Sequence, residues 1–330
     1  MQSTSLIVTN VNHVEVGQVE IPEPQSGEVL VRIDFSAISP GTELRCLRGE
    51  QSGQPPFPFI PGYAAIGRVV ETGDDVDIPV GTRVLSQTTA RASFARCWGG
   101  HCAYHVRPAA SLVRLPEELS DADALMIRLA AIAYRGVRLA QPRPHESVVI
   151  IGLGPIGQCS ARLFAATGAR VVALDRVPER GEILQKSGID ARVVIDDFQK
   201  VVQDDFSNGF DVVVDATGAA AVALSAPRLL RTLPWNDEET SGPRYVVQGS
   251  YPGTLAFMQN ELFTHEATML FPRDSKRGDV EAVISRLQRH QITLGDIISE
   301  WQSPECADTV YQRLRDGEGG YLTAAFDWRA

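Results

Sequence analysis

Val148-Val149-Ile150-Ile151-Gly152-Leu153-Gly154-Pro155-Ile156-Gly157 reads as an apolar strand that runs into a glycine-rich turn and then a helix. Gly152 lets the chain turn tightly off the strand. Gly154 lets the backbone come close to a pyrophosphate, and Gly157 lets helix and strand pack together. Leu153, Pro155 and Ile156 complete the turn and open the helix, whose unpaired N–H groups and dipole favour a phosphate. The next apolar run, Val171-Val172-Ala173-Leu174, ends on Asp175, at roughly the 20-residue distance a dinucleotide site needs. A carboxylate there accepts both hydroxyls of an adenine ribose and repels a 2′-phosphate, so NAD is expected over NADP. Arg176 leaves two roles open, stacking on adenine or meeting a 2′-phosphate.

The whole chain sets broad limits. Its 330 residues suffice for two domains with sizeable cores, and 44% hydrophobic with 22% charged residues is an ordinary globular composition. A formal net charge of −10 argues against nucleic acid and anionic membranes as partners. Lysine occurs only at Lys186, Lys200 and Lys276, which leaves few sites for lysine chemistry. No apolar run reaches the roughly 18 residues that span a bilayer. Met1 to Ser5 lack a charged region before the short apolar stretch, so no signal peptide is indicated and a cytoplasmic location is expected. Five cysteines do not make a disulfide framework in a chain this long.

Periodicity divides the chain. Up to about residue 118 it is β-rich: Glu28 to Phe35 alternates like a half-buried strand, and Pro55, Pro56, Pro58, Pro61 and Gly62 mark turns. Short strands with frequent turns predict a small barrel-like domain. Leu125 to Leu139 has a helical apolar pattern. Strands are then expected at Ser147–Ile151, Val171–Leu174, Arg192–Ile195, Phe210–Val214, Tyr245–Gln248 and Thr268–Phe271, alternating with helices. That alternation predicts an α/β fold with a doubly wound parallel sheet. Gly168 and Gly188 fall at helix ends, and Pro234 to Gly242 reads as a solvated loop. Helices are expected at Asp279–His290 and Glu305–Arg315, then a strand at Leu322–Trp328 that rejoins the first domain.

Several motifs in order resemble the medium-chain dehydrogenase/reductase superfamily. Pro58-Phe59-Ile60-Pro61-Gly62-Tyr63-Ala64-Ala65-Ile66-Gly67 looks like its P-x-x-x-G-H-E-x-x-G segment. Val80-Gly81-Thr82-Arg83-Val84 is similar to its G-D-R-V turn, and Gly99-Gly100-His101-Cys102-Ala103-Tyr104 to its G-G-x-A-E-Y strand. Asp215-Ala216-Thr217-Gly218 resembles the turn near the nicotinamide. The resemblance implies a GroES-like β-rich catalytic domain (1–120), a Rossmann domain (121–271) and a C-terminal segment (272–330) returning to the catalytic domain. It implies hydride transfer with a nicotinamide in the cleft between the domains, Ala216, Thr217 and Gly249 among the cofactor-binding residues, and a homodimer or homotetramer. The Ser39-to-Glu43 form, S-x-G-T-E, resembles the branch containing bacteriochlorophyllide a dehydrogenase and some sugar-pathway oxidoreductases.

The departures concern metal. Zinc-dependent members use a Cys, the His-Glu pair and a later Cys or Glu. Here the pair is Tyr63-Ala64, either Ser39 or Pro40 takes the place of the cysteine, and Arg128 stands at the third position. Ala64 has no donor atom, Tyr63 is a poor ligand, and a permanent cation repels Zn²⁺. No C-x-x-C occurs, so the structural-zinc lobe is absent too. Cys97, His101, Cys102 and His105 are close enough to suggest a metal group, but their spacing matches no standard zinc module. The expectation is no zinc.

Other groups must then stabilise the substrate oxygen. Thr42 resembles the hydroxyl that relays the proton in zinc-dependent relatives, or caps a helix. Tyr63 donates to the substrate oxygen, or fills space. Arg128 binds an anionic group or polarises a carbonyl, or lies on a helix surface. His101 has a pKa suited to proton transfer, or is structural. The reading is an NAD-dependent, zinc-independent oxidoreductase acting on a secondary alcohol or its ketone, on a polar or anionic scaffold that Arg128 would meet. The alternatives are an NAD(P)H-dependent quinone or enoyl reductase and a catalytically silent NAD(H)-binding protein.

Overall fold

The computed structural model describes residues 1–330 except 195–196, 199, 201–204, 237–240, 252 and 330. The chain divides into two compact units, Met1–Arg128 with Leu294–Ala330, and Leu129–Thr293.

The first unit holds two sheets. Strands β1 (Gln2–Asn10), β2 (His13–Glu20), β4 (Phe59–Ile60) and β7 (Ala95–Arg96) form one in the order β2-β1-β4-β7. The other is built on β3 (Glu28–Ala37) and β5 (Ala64–Thr72), with β6 (Arg83–Leu85), β8 (Tyr104–Pro108) and β9 (Val113–Arg114). The alternation seen at Glu28–Phe35 is real but imperfect, because Val29, Leu30 and Val31 are all buried in successive positions. A strand covered on both faces loses its polar face. Two late strands, β16 (Glu300–Gln302) and β17 (Ala324–Asp327), complete this sheet. Ala325, Phe326 and Asp327 pair antiparallel with Ala37, Ser36 and Phe35, so the C-terminal run does rejoin the first domain. Helix α1 (Pro40–Arg48) follows β3 directly, and the helix Ala307–Asp316 supplies Tyr311 to the core.

The second unit is a six-stranded parallel sheet. Its strands are β10 (Ser147–Ile151), β11 (Arg170–Asp175), β12 (Asp190–Val193), β13 (Val212–Asp215), β14 (Arg244–Val247) and β15 (Thr268–Leu270). Their order is β12-β11-β10-β13-β14-β15, the dinucleotide-binding arrangement in which the winding reverses beside the first strand. Observed strand limits shift by a few residues from those expected. Phe210 makes only an isolated bridge to Leu230, and Ile195 and the loop residues 237–240 lie outside the described residues. Helix α2 (Asp121–Ala140) carries the division at Arg128, and its first turn is capped by the Ser120 hydroxyl, which accepts from the Asp123 N–H at 3.1 Å. The second unit extends beyond residue 271 to Thr293, because the helix Arg277–Gln288 joins it. Arg138 pairs with the fully buried Asp279, and Arg286 donates to the Ala166 carbonyl. No helix among the described residues is long and apolar enough to cross a membrane.

Candidate active site

The glycine turn is built as its residue types require. Gly152 has φ +89°, a conformation that L side chains rarely adopt. A Cβ on Gly157 would stand 1.7 Å from the Gly152 carbonyl oxygen, so helix α3 (Pro155–Ala165) can cross the end of β10 only without a side chain there. A Cβ on Gly154 would meet nothing within 4 Å, which leaves its approach face open. Pro155 stands in the first turn of α3, and no side chain caps the helix, so its first N–H groups are left to an anion. Leu153 donates its N–H to Asp175 Oδ2 at 2.6 Å, and Val177 donates to Oδ1 at 2.9 Å. Asp175 therefore also ties the turn to the end of β11. Each of its oxygens keeps a second lone pair for a ribose hydroxyl. Arg180 lies 3.8 Å from Asp175, and Arg176 is exposed beside it.

Ala216, Thr217 and Gly249 gather at the neighbouring strand ends. The Ala216 N–H bonds to the Ile151 carbonyl, joining the end of β13 to that of β10. Thr217 donates both N–H and hydroxyl to Asp215 Oδ1, and Gly249 donates to the Asp215 carbonyl. The buried Asp215 also accepts from Tyr251 at 2.5 Å. Burial, followed by the Asp215 charge, pushes the Tyr251 phenol well above its ordinary range. These residues surround the carboxyl ends of β10, β11, β13 and β14, where the sheet order reverses and such sheets hold a ligand. A turn that only glycine permits, an uncapped helix and a carboxylate with spare lone pairs all suit a dinucleotide.

In the first unit two hydroxyls gather around that of Tyr63, which stands in the Tyr63-Ala64 pair. Ser39 precedes α1, Thr42 sits in its first turn, and Tyr63 precedes β5. The Tyr63 hydroxyl donates to Ser39 Oγ at 2.5 Å and lies 3.4 Å from Thr42 Oγ1. Trp98 packs edge-on against the Tyr63 ring at 5.2 Å, and the Arg128 guanidinium stands over that ring at 5.5 Å. Arg128 is 8% exposed, so it is not a surface arginine. Burial holds the Tyr63 phenol above its ordinary range; the Ser39 and Thr42 hydrogen bonds and the Arg128 charge pull the other way. Hydroxyls beside a guanidinium are donors and weak ligands at best, so this set does not fit Zn²⁺.

His101 is fully buried and fully engaged. Its Nδ1 lies 2.7 Å from Ser36 Oγ, and its Nε2 lies 2.8 Å from Glu43 Oε2. Both ring nitrogens thus face protein groups. The four residues weighed as a metal group also have separate partners. Cys97 faces Cys46 at 3.5 Å, Cys102 faces Ser3 at 3.3 Å, and His105 lies between Ser86 Oγ and the Gly100 carbonyl. Sequence reasoning overlooked Ser39 as the Tyr63 partner, Trp98 as its packing wall, and Glu43 as a buried anchor. The sequence signals for Glu43 were its place at the end of the S-x-G-T-E form and its distance of four residues, one helical turn, from Ser39.

Comparison with known proteins agrees with this architecture. The family described as "Alcohol dehydrogenase GroES-like domain" matches residues 25–117, and that described as "Zinc-binding dehydrogenase" matches residues 155–288. The 2-desacetyl-2-hydroxyethyl bacteriochlorophyllide A dehydrogenase of Cereibacter sphaeroides is 26% identical over 100% of this chain and 99% of its own. An alcohol dehydrogenase of Geobacillus stearothermophilus is 26% identical over 76% of this chain and 84% of its own. Among solved structures, an alcohol dehydrogenase from Escherichia coli CFT073 in complex with NADH has a TM-score of 0.85 at 20% identity, covering 99% of each chain. A protein of Sinorhizobium meliloti 1021 bound to NADP has the same TM-score at 21% identity, again over 99% of each chain. The fold and the ordered motifs define a two-unit, nicotinamide-dependent oxidoreductase class. The chain belongs to the medium-chain dehydrogenase/reductase superfamily.

Proposed function

We propose that this chain is an NAD-dependent oxidoreductase that interconverts a secondary alcohol and its ketone without catalytic zinc. The observation that carries this reading is the hydroxyl group Tyr63–Ser39–Thr42 with the Arg128 guanidinium over the Tyr63 ring, where Tyr63 and Arg128 take positions that ligands hold in zinc-dependent members. Bound nicotinamide supplies or accepts the hydride. In reduction, the Tyr63 hydroxyl donates a hydrogen bond and then its proton to the substrate oxygen as the carbonyl carbon gains the hydride. Ser39 and Thr42 orient that hydroxyl and provide the next oxygens along which the proton is replaced. Arg128 stabilises the oxygen's developing negative charge through space and cannot itself give up a proton at neutral pH. In oxidation each step reverses. Polyol dehydrogenases among the relatives, acting on erythritol or L-threitol and on D-arabinitol, support a polar hydroxylated substrate.

Asp175 supports NAD, while Arg180 at 3.8 Å and the exposed Arg176 give NADP a second reading. Cytoplasmic location and a dimer or tetramer, read by sedimentation, complete the proposal. Tyr63→Phe tests it by NADH absorbance against polyols, hydroxyalkyl tetrapyrroles and simple ketones. Turnover is expected to fall about 10²- to 10⁴-fold with NADH affinity unchanged. Dialysis against a chelator is expected to leave turnover intact. Stoichiometric zinc whose removal abolishes activity overturns the reading.

A further inference from the structure

A fully buried carboxylate lies behind the hydroxyl group. Glu43, in α1, receives three hydrogen bonds: the Ser39 backbone N–H to Oε1 at 2.7 Å, His101 at 2.8 Å and the Tyr311 hydroxyl at 2.5 Å to Oε2. Behind His101, Ser36 Oγ accepts from the Trp328 indole N–H at 2.8 Å. All these side chains are buried. Taking a carboxylate out of water costs several kcal/mol before its partners offset it, and a packed apolar side chain would stabilise the fold at least as well. The arrangement therefore points to something besides stability. The group it holds is Ser39, whose Oγ receives the Tyr63 hydroxyl.

We propose that Glu43 is a positioning residue for the reaction assigned to Tyr63: clamped by His101 and Tyr311, it fixes Ser39 and sets the charge around the Tyr63 phenol. The proposal rests on the reading of Tyr63 as proton donor. Burial first, and after it the Glu43 charge, oppose formation of a phenolate at Tyr63. Pulling the other way are the hydrogen bonds between Tyr63 and the Ser39 and Thr42 hydroxyls and the charge of Arg128; Arg45 in α1 is a further cationic neighbour of Tyr63. Trp98 adds an uncharged wall. Around Glu43 itself stand His101, Tyr311 and the Cys46 thiol.

Glu43→Gln tests this, since the amide keeps an acceptor for Ser39 but removes the charge. Tyrosinate formation is followed by ultraviolet absorbance, and the Tyr63 share is taken as the difference between each protein and its Tyr63→Phe version. In Glu43→Gln that share is expected at a pH about one unit lower, a tenfold change in acid constant. The alkaline fall in reduction rate is expected to move with it, and KM for NADH to stay unchanged. A purely structural role predicts no such movement. If Glu43→Gln does not fold, as judged by its melting curve, Glu43→Gln/Tyr311→Phe is measured instead, because it removes the hydroxyl that the amide N–H₂ would confront. A Tyr63 titration that stays in place or rises overturns the proposal while leaving the function reading intact. A Tyr63→Phe enzyme with full turnover overturns both, whatever the titration shows.

Discussion

Asp175 illustrates how a single residue carries two duties. Its oxygens receive the Leu153 and Val177 N–H groups, so it shapes the glycine turn, and its remaining lone pairs are the ones proposed to take ribose hydroxyls. Asp175→Ala is expected to weaken NADH binding roughly tenfold or more, the weight of a charged hydrogen bond. It also leaves Arg180 without the neighbouring carboxylate, so the NADPH-to-NADH affinity ratio is expected to rise. Fluorescence titration with both cofactors reads this, and unchanged NADH affinity would count against the ribose role. Sequence made Asp175 legible because it ends an apolar run at a set distance from a glycine turn. It did not make the Glu43–Tyr311 pair legible. Those residues lie 268 positions apart, and a pairing between side chains so distant leaves no periodic trace.

Among the elements, the β10–α3 join is the most constrained. Gly157→Ala places a methyl against a backbone oxygen that cannot step aside, with a cost expected above about 2 kcal/mol and NADH binding lost. Gly154→Ala meets no protein atom within 4 Å, so it is expected to melt like the parent chain and still bind NADH poorly. The pair separates fold from cofactor by thermal denaturation and titration; equal melting losses in both variants would contradict this account. The central parallel strands β10, β11, β13 and β14 were legible because they are buried on both faces and read as continuous apolar runs. The short strands β4 and β7 were not, because two-residue elements carry no period. Helix Arg277–Gln288 was recognised, but its allegiance to the second unit was not. That depends on Arg138 reaching Asp279 and Arg286 reaching Ala166.

For the molecule as a whole, His105 predicts a pH dependence of stability. The Gly100 carbonyl can only accept, so Nε2 carries the proton and Nδ1 accepts from Ser86. Burial first, and then the Arg107 charge, lower its pKa from 6.5 to about 3. The folded state thus holds neutral imidazole where the unfolded chain takes up a proton. This contribution is fully present above pH 6.5 and is lost as pH falls toward about 3. The expected slope is at most about 1.4 kcal/mol per pH unit. Denaturant unfolding across that range reads it, and His105→Asn is expected to flatten it; an equal slope in the variant would assign the acid sensitivity elsewhere. The sequence alone determined the parallel sheet, its glycine turn and the Tyr63-Ala64 pair that stands where zinc-dependent members have His-Glu, because apolar periodicity, glycine geometry and residue identity are local properties. Only the tertiary structure decided that Tyr63 meets Ser39, that Arg128 lies over the Tyr63 ring, and that Glu43 is sealed beneath them by His101 and Tyr311. Those contacts join segments far apart in the chain, and burial, which sets their electrostatics, exists only once the segments have packed.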